Sequence, residues 1–499
     1  MIKDNKILIG KANEKEVFLL PHQMNRHGLI AGASGTGKTI TLKVIAESLS
    51  DLGVPVFLAD VKGDLSGMIS QGDMSKIQER LDSMGINDFS TKKYPVHFYD
   101  VYQENGHPVR ARVESMGPLL ISRILDLSDA QLGVLNIVFK VAQDMDLALF
   151  DLKDLQAMTS YVGEKSKELT LKYGNVSKQS VGAILRQLLV LEQEGADMFF
   201  GQPSLDLEDW FYSFGSQGVM NILDCRKLIN KPTLYSTFML WLLTTLYEKL
   251  PEVGDLDKPR MVFFFDEAHL LFNNTPKNLM EKIIQTVKLI RSKGVGIFFI
   301  SQSPTDIPNE VLAQLSNRIQ HSLRAYTPSE IKAVKLAADS FRENPEFNTA
   351  ELITQMKTGT ALVSVLDEDG APTIVEKTKI LPPRSMMGQV DASYQKENIR
   401  NGSLYGKYEK TIDNYSAFEE IGEIRSEEER KQILLKQQEE QEKLDLIKAK
   451  EEARYKERNE RNQKSVIDRI SRKTINQFEN AASRQIVKTA SSFLKNFLK

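Results

Sequence analysis

Short β-rich runs alternate with helical patterns along this chain: Gly28–Ala31, Pro55–Asp60, Val96–Asp100, Val219–Asp224, Met261–Asp266, Gly296–Ser301, Arg318–Leu323 and Ala361–Leu366. Several of these runs are apolar almost throughout. A strand with one wet face alternates apolar and polar residues, whereas a strand covered on both faces does not. The pattern predicts a mainly parallel sheet with helices on either side, an α/β fold. Ligands on such sheets gather at the carboxyl ends of strands, where Asp60, Asp100, Asp224, Asp266 and Gln302 all fall.

Between 115 and 215 the apolar spacing turns helical: Leu119, Ile121, Ile124 and Leu125, then Leu132, Leu135, Val138 and Phe139, and later Ile184, Leu188 and Leu191. This predicts a helical insertion at 115–215 within a core formed by 1–114 and 216–385. After Leu381-Pro382-Pro383 the chain becomes polar and dotted with tyrosines, so 386–423 reads as a linker or as an arm wrapping a neighbour. A charged helix is expected over 424–463, opened by a capping pattern at Ser426. Glu439/Lys443, Glu452/Lys456 and Glu457/Arg461 stand one turn apart along it. The stretch 464–499 holds eight basic and two acidic residues, with Ile467, Ile470, Phe478, Ala482, Ile486, Phe493 and Phe497 on one helical face. It reads as a basic amphipathic helix that docks on the core or another subunit, or meets a membrane surface or nucleic acid.

Composition narrows the class. With 499 residues, 41% hydrophobic and 26% charged, the chain suits a folded protein of two or three structural units. The net charge of −2 excludes a globally basic nucleic-acid coat, although a ring channel needs only a few lysines per subunit. A single cysteine, Cys225, rules out an intramolecular disulfide. Charges at Lys3, Asp4 and Lys6 do not suit a signal peptide, and no apolar stretch is long enough for a membrane span. The cytoplasm is the expected location.

The sharpest chemistry lies in Gly32-Ala33-Ser34-Gly35-Thr36-Gly37-Lys38-Thr39, which follows one apolar strand and opens the helical run from Ile40. Glycines there let successive N–H groups turn inward around a polyphosphate, and the helix end adds partial positive charge. Lys38 is placed for the β- and γ-phosphates of ATP, and Thr39 for Mg²⁺.

A second motif, Met261-Val262-Phe263-Phe264-Phe265-Asp266-Glu267, is a buried strand that delivers two carboxylates to the sheet edge. Asp266 is the candidate for the Mg²⁺ hydration shell, and Glu267 for polarising the water that attacks the γ-phosphate. Asp266-Glu267-Ala268-His269 also spells the box of one helicase superfamily. Members of that group follow it with a Ser-Ala-Thr strand end, whereas Ser301-Gln302-Ser303-Pro304 stands here, so the four-letter match is weak. Gln302, on the neighbouring strand, is placed to bond the γ-phosphate or the attacking water. Arg291 ends a helical pattern over Lys277–Lys293, where a cation is favoured by the helix C-terminus.

Taken together, these segments resemble the HerA-like branch of the FtsK/HerA ring ATPases, and within it the YjgR-type proteins. The residues that carry the resemblance are Asn25 to Gly32 running into the phosphate loop, Ala59-Asp60-Val61-Lys62-Gly63-Asp64-Leu65-Ser66-Gly67, Phe265 to His269, Ile290 to Gly296, Ser301 to Pro304, Asn317 to His321, and Leu323 to Pro328. The resemblance covers about Ile7 to Met387. It implies a RecA-like P-loop core in a homohexameric ring, with ATP between neighbours and DNA through the centre. It further implies that Arg291 reaches the adjacent subunit's site as an arginine finger, and that Arg26 contacts nucleotide in its own subunit. Arg318 and Arg324 are alternative sensors. HerA proper carries a β-barrel ahead of this core, and only some thirty residues precede the loop here. The nuclease partnership served by that barrel is therefore not carried over.

Three functions stay open on the sequence: a ring translocase or helicase driven by ATP, an ATP-driven protein that remodels a protein partner, and a soluble small-molecule P-loop enzyme. The first is the leading expectation.

Overall fold

Alternate residues of each central strand feed different cores. Leu29, Phe57, Phe263, Phe265 and Phe299 pack on one side of the sheet, against Trp210, Phe238 and Leu242. Ile30, Leu58, Val262, Phe264, Phe298 and Ile300 pack on the other, against Leu42, Ile45 and Leu49 of the helix Lys38–Asp51. This two-sided burial is why the strands are apolar throughout.

The computed structural model describes residues 1–254, 256–272 and 277–496, with side chains save at 278 and 493–496. Phe497 and the side chain of Phe493 thus lie outside the described residues. The strands are β1 (Ile2–Lys3), β2 (Lys6–Ala12), β3 (Lys15–Leu19), β4 (Gly28–Ala31), β5 (Val56–Asp60), β6 (Val96–Asp100), β7 (His107–Pro108), β8 (Ser213–Phe214), β9 (Gln217–Gly218), β10 (Met220–Asp224), β11 (Met261–Phe265), β12 (Val295–Ser301), β13 (Asn317–His321), β14 (Thr360–Ser364) and β15 (Glu376–Ile380). Among the described residues, 13 of them form one sheet in the order β1-β2-β15-β14-β13-β4-β12-β11-β5-β10-β6-β7, with β3 paired to β2. From β13 to β7 every pair is parallel. The α/β expectation of a mainly parallel sheet is met.

One apolar run departs from the expectation of parallel strands: β14 is antiparallel to both β13 and β15. Ala361 and Val363 enter one core and Leu362 another, so its apolar pattern reports burial on two faces and not direction. The remaining antiparallel strands of this sheet are β1, β2, β3 and β15; β15 alternates exposed Lys377 and Lys379 with buried Thr378 and Ile380, a weaker signal in sequence, whereas β2 buries Ile7, Leu8 and Ile9 between Lys6 and Lys11.

Helices Val113–Ile124, Asp129–Asp144, Leu152–Glu164, Ser166–Tyr173, Lys178–Gln193 and Ala196–Phe199 occupy the stretch read as helical. Their apolar faces share one core with the sheet, so they form a layer on it.

Residues 384–416, most of the stretch read as a linker or an arm over 386–423, lie across their own unit. Glu47, almost fully buried, accepts from Arg384 N (2.7 Å), Ser385 N (3.1 Å) and Ser385 Oγ (2.5 Å). Farther along, Arg110 donates to Tyr408 O (2.9 Å), and His107 Nδ1 lies 2.6 Å from Glu409 Oε1. Ser416 Oγ donates to Asp154 Oδ1 (2.5 Å), which also accepts from Phe418 N (3.1 Å) in the first turn of the last helix. That helix is continuous over Ala417–Asn496, where two helices beginning at 424 and 464 were expected. The chain divides into two compact units at Ile421/Gly422. In the second unit Glu457 and Arg461 pair at 3.3 Å as their spacing predicts, and the side chains are exposed, so such pairs add little stability. No helix among the described residues is long and apolar enough to cross a membrane.

Replacing Glu47 with alanine removes three acceptor contacts and strands buried N–H groups. We expect a loss of about 2–4 kcal/mol in urea unfolding and faster proteolytic cleavage around 386–391. An unchanged midpoint would contradict anchoring of this segment at Glu47.

Candidate functional site

The segment 32–37 leaves β4 and enters the helix at Lys38, with Gly32, Gly35 and Gly37 all at positive φ (154°, 76° and 113°). A Cβ at Gly32 would lie 2.5 Å from His321 Cβ, so the close approach of β13 admits glycine alone. Thr41 Oγ1 lies 2.8 Å from His321 Nε2, Ala33 N donates to Ser322 O (2.8 Å), and Gly359 N donates to Thr36 O (3.0 Å). The loop is thus gripped by the ends of β13 and β14. Burial holds His321 down at about 4, so it supports the loop as a neutral ring.

Lys38 is buried, and its ammonium donates to Gly32 O (2.6 Å) and Ala33 O (3.1 Å). Ser34 and Gly35 form the exposed rim, with nothing within 4 Å of a Cβ at Gly35; Thr36, Thr39 and Ile40 are half-buried. The first N–H groups of the helix have no intrahelical acceptors. An open concave loop, a lysine and a helix N-terminus fit a polyphosphate.

β11 ends beside β5 and β12, and the chain turns sharply there. Glu267 has φ 47°, a strained value for a non-glycine residue, and Asp266 Oδ1 accepts from Glu267 N (2.9 Å). The turn puts both carboxylates at the strand ends. Lys62 Nζ contacts Glu267 Oε1 at 2.8 Å and Asp266 Oδ2 at 3.8 Å. Gln302 Nε2 donates to Glu267 Oε2 (3.3 Å), and His269 Nδ1 lies 3.4 Å from the same oxygen.

Burial pushes Asp266 up to about 6 despite Lys62. Burial also acts to raise Glu267, but the hydrogen bond and charge of Lys62 outweigh it and keep this carboxyl below its ordinary value. Lys38 is lowered by burial, partly offset by the charges of Glu267 and Asp266. Lys38, Asp266, Glu267 and Gln302 therefore share one electrostatic site.

The other strand-end carboxylates are already engaged. Asp60, pushed up to about 7 by burial and by Asp64, accepts from the N–H groups of Lys62, Gly63 and Leu65 (3.1, 2.6 and 3.1 Å). Asp100 accepts from three backbone N–H groups and Asp224 from Arg226.

The arginines fall into three groups. Arg291 is exposed in a 3-10 turn, Ile290–Lys293, that ends the helix Lys277–Leu289 and precedes β12. Seven residues of β12, about 23 Å of chain, separate it from the edge that carries Gln302. Arg26 likewise precedes β4, next to Gly370, so it is not brought to the phosphate loop of its own chain, contrary to the sequence expectation. Arg318 donates to the carbonyls of Leu315 (3.1 Å), Leu312 (3.3 Å) and Ser340 (3.3 Å). Arg324 is exposed, just past β13 at the phosphate-loop edge.

Sequence reasoning did not single out Lys62 or His321 as site residues. Lys62 carries a readable signal, a cation just past a strand-end aspartate at the same edge. His321 carries none, because its contact depends on the register of β13 beside β4.

The match of the helicase HerA-like C-terminal family spans residues 5–495. The chain belongs to that family. It is similar to the DNA double-strand break repair helicase HerA of Sulfolobus acidocaldarius, 22% identical over 380 residues, covering 74% of this chain and 68% of that protein. The protein of the same name from Saccharolobus solfataricus is 22% identical, covering 72% and 66%. The chain thus spans about two thirds of these relatives' length. Among solved structures, the unbound bacterial conjugative coupling protein TrwBdeltaN70 superposes with a TM-score of 0.52 at 14% identity, over 79% of this chain and 92% of that one. The plasmid coupling protein TrwB with a non-hydrolysable ATP analogue superposes equally well, at 13% identity. Both likenesses establish the fold.

Substituting Gly32 with alanine should weaken binding of a fluorescent ATP analogue about tenfold or more while the circular dichroism spectrum is kept, because a Cβ displaces the loop from His321. Unchanged affinity would contradict the tight seat of the loop.

Proposed function

We propose that this chain is an ATP hydrolase acting as a ring motor on DNA, a cytoplasmic homohexamer of the HerA-like type. The observation that carries the reading is the meeting of Lys38, Asp266, Glu267 and Gln302 at one sheet edge while Arg291 stands at the other. In a ring with repeated head-to-tail contacts, the two edges of neighbouring subunits can face each other. Membership of the HerA-like family supports both the reaction and the ring.

The N–H groups of residues 32–39 and the Lys38 ammonium hold the triphosphate of ATP. Mg²⁺, when bound, neutralises phosphate charge, and Thr39 and Asp266 are the residues that would hold it. Glu267, kept ionised beside Lys62, takes a proton from the attacking water. Gln302 orients that water or the γ-phosphate and is tied to Glu267 by their hydrogen bond. Lys62 is a positioning residue that fixes the Glu267 carboxylate. Arg291 serves the next subunit's site, where a guanidinium offsets charge that develops on the transferring phosphoryl group. Arg324, at the phosphate-loop edge, is placed as a nucleotide contact in its own subunit.

Steady-state ATP turnover with and without DNA, alongside a light-scattering mass, tests this reading. Hexamers with DNA-stimulated turnover are expected. Glu267→Gln should lower kcat by about 10²–10⁴-fold with nucleotide affinity kept. Turnover indifferent to DNA but responsive to a protein would move the assignment to a remodelling ATPase. A monomer that needs a small-molecule acceptor would overturn the motor.

A further inference from the structure

The antiparallel edge of the sheet carries a second set of cations that the nucleotide site does not use. Lys11 on β2 and Lys379 on β15 are direct cross-strand partners. Lys377 shares the face of Lys379, two residues away. With Lys357 they line a cavity of about 520 Å³, whose floor includes Met84, Met356 and Thr360. Like charges placed directly opposite each other on a sheet are destabilising unless something neutralises them.

Nearby lysines of the same edge are neutralised within the chain: Lys3 by Glu16 (2.7 Å), Lys6 by Glu368 (2.7 Å) and Lys15 by Glu376 (2.5 Å). Lys11, Lys357, Lys377 and Lys379 make no ion pair among the described residues, and Glu14 is the one carboxylate that lines the cavity. Lys379 donates only to Ser83 O (3.3 Å). Four ammonium groups facing one open cavity suit an anion with several charged groups, and compact, flexible ammoniums suit phosphate.

The same cavity is linked through the chain to the nucleotide site. From Lys357 the chain continues through Thr358, whose Oγ1 donates to Gly35 O (3.4 Å), to Gly359, whose N donates to Thr36 O (3.0 Å). Arg80 holds that turn from below by donating to Gly359 O (2.6 Å). A ligand that pulls Lys357 therefore moves a turn bonded to the phosphate loop.

We propose that the Lys11/Lys357/Lys377/Lys379 cavity is a second anion site that takes successive phosphates of a polyphosphate chain and is coupled to the nucleotide loop through Lys357–Gly359. A nucleic-acid backbone is the source that fits the proposed motor, and to that extent the inference rests on that reading. A free polyphosphate carries the same chemistry.

The test uses the full chain with a saturating non-hydrolysable ATP analogue, so that the phosphate loop is filled. Fluorescence anisotropy follows a labelled DNA strand of about 30 nucleotides across a salt series, with inorganic tripolyphosphate titrated in parallel. The triple variant Lys11→Gln/Lys377→Gln/Lys379→Gln should bind DNA about tenfold more weakly, with a salt slope reduced by about two to three. The corresponding arginine triple should bind as the unmodified chain does. Basal ATP turnover without DNA should stay within about twofold in both variants, which shows that they fold. An unmodified chain that ignores DNA but binds tripolyphosphate, with that binding lost in the glutamine triple, keeps the site and assigns it to a free polyphosphate. Unchanged affinity and slope in the glutamine triple overturn the proposal, as does an unmodified chain that binds neither probe. ATP hydrolysis without anion binding overturns this inference alone, and anion binding without hydrolysis overturns the motor alone.

Discussion

Parallel strands that end together bring their terminal carboxylates together, and this edge gathers Asp60, Asp100, Asp224, Asp266 and Glu267 in partly buried surroundings. Mutual repulsion and desolvation oppose that gathering, so each negative charge needs a partner. Asp60 and Asp100 take backbone N–H groups of their own turns, and Asp224 takes Arg226. Asp266 and Glu267 share the lysine at position 62, and Glu267 also accepts from Gln302 Nε2. Under the proposed function, the neutralisation of this pair is what another cation can take over, such as Lys38 with a nucleotide and its metal. The segment 384–391 then has a clear place in the fold. It seals the Lys62 loop from above, with Gln389 donating to Lys62 O (2.8 Å) and a Cβ at Gly67 excluded by Gly388 O at 2.3 Å.

Much of this architecture is legible in the sequence because it rests on burial. Each of the apolar runs is a strand, and the phosphate loop and the Asp266-Glu267 turn sit at the strand ends that the pattern assigns them. Direction is less legible: β14 is as apolar as the parallel strands of the sheet yet runs antiparallel to both its neighbours, because burial on two faces does not depend on polarity of the chain. The strand β15 is missed for the converse reason, since exposed Lys377 and Lys379 break its apolar run, while β2 is missed although Ile7, Leu8 and Ile9 are buried.

Contacts across the sheet edge are the least legible. His321 reaches the loop through register, and Lys62 reaches Glu267 across two loops distant in sequence. Arg26 stands only six residues before Gly32, yet β4 carries the two to opposite edges. Sequence proximity and spatial proximity part here because a strand is a rigid spacer of about 3.3 Å per residue. The same spacing turns Arg291 from a neighbour of Gln302 in sequence into a residue suited to another subunit's site.

The central claim, a site completed by a neighbour, is tested most directly by mixing two variants. Glu267→Gln subunits keep Arg291 but lack the base, and Arg291→Ala subunits keep the base but lack the arginine. Each alone should be nearly inactive, and mixed assemblies should regain ATP turnover where an Arg291→Ala site meets an intact Arg291. Mixed assemblies verified by native mass spectrometry that turn over no faster than the sum of the separate variants would contradict the account.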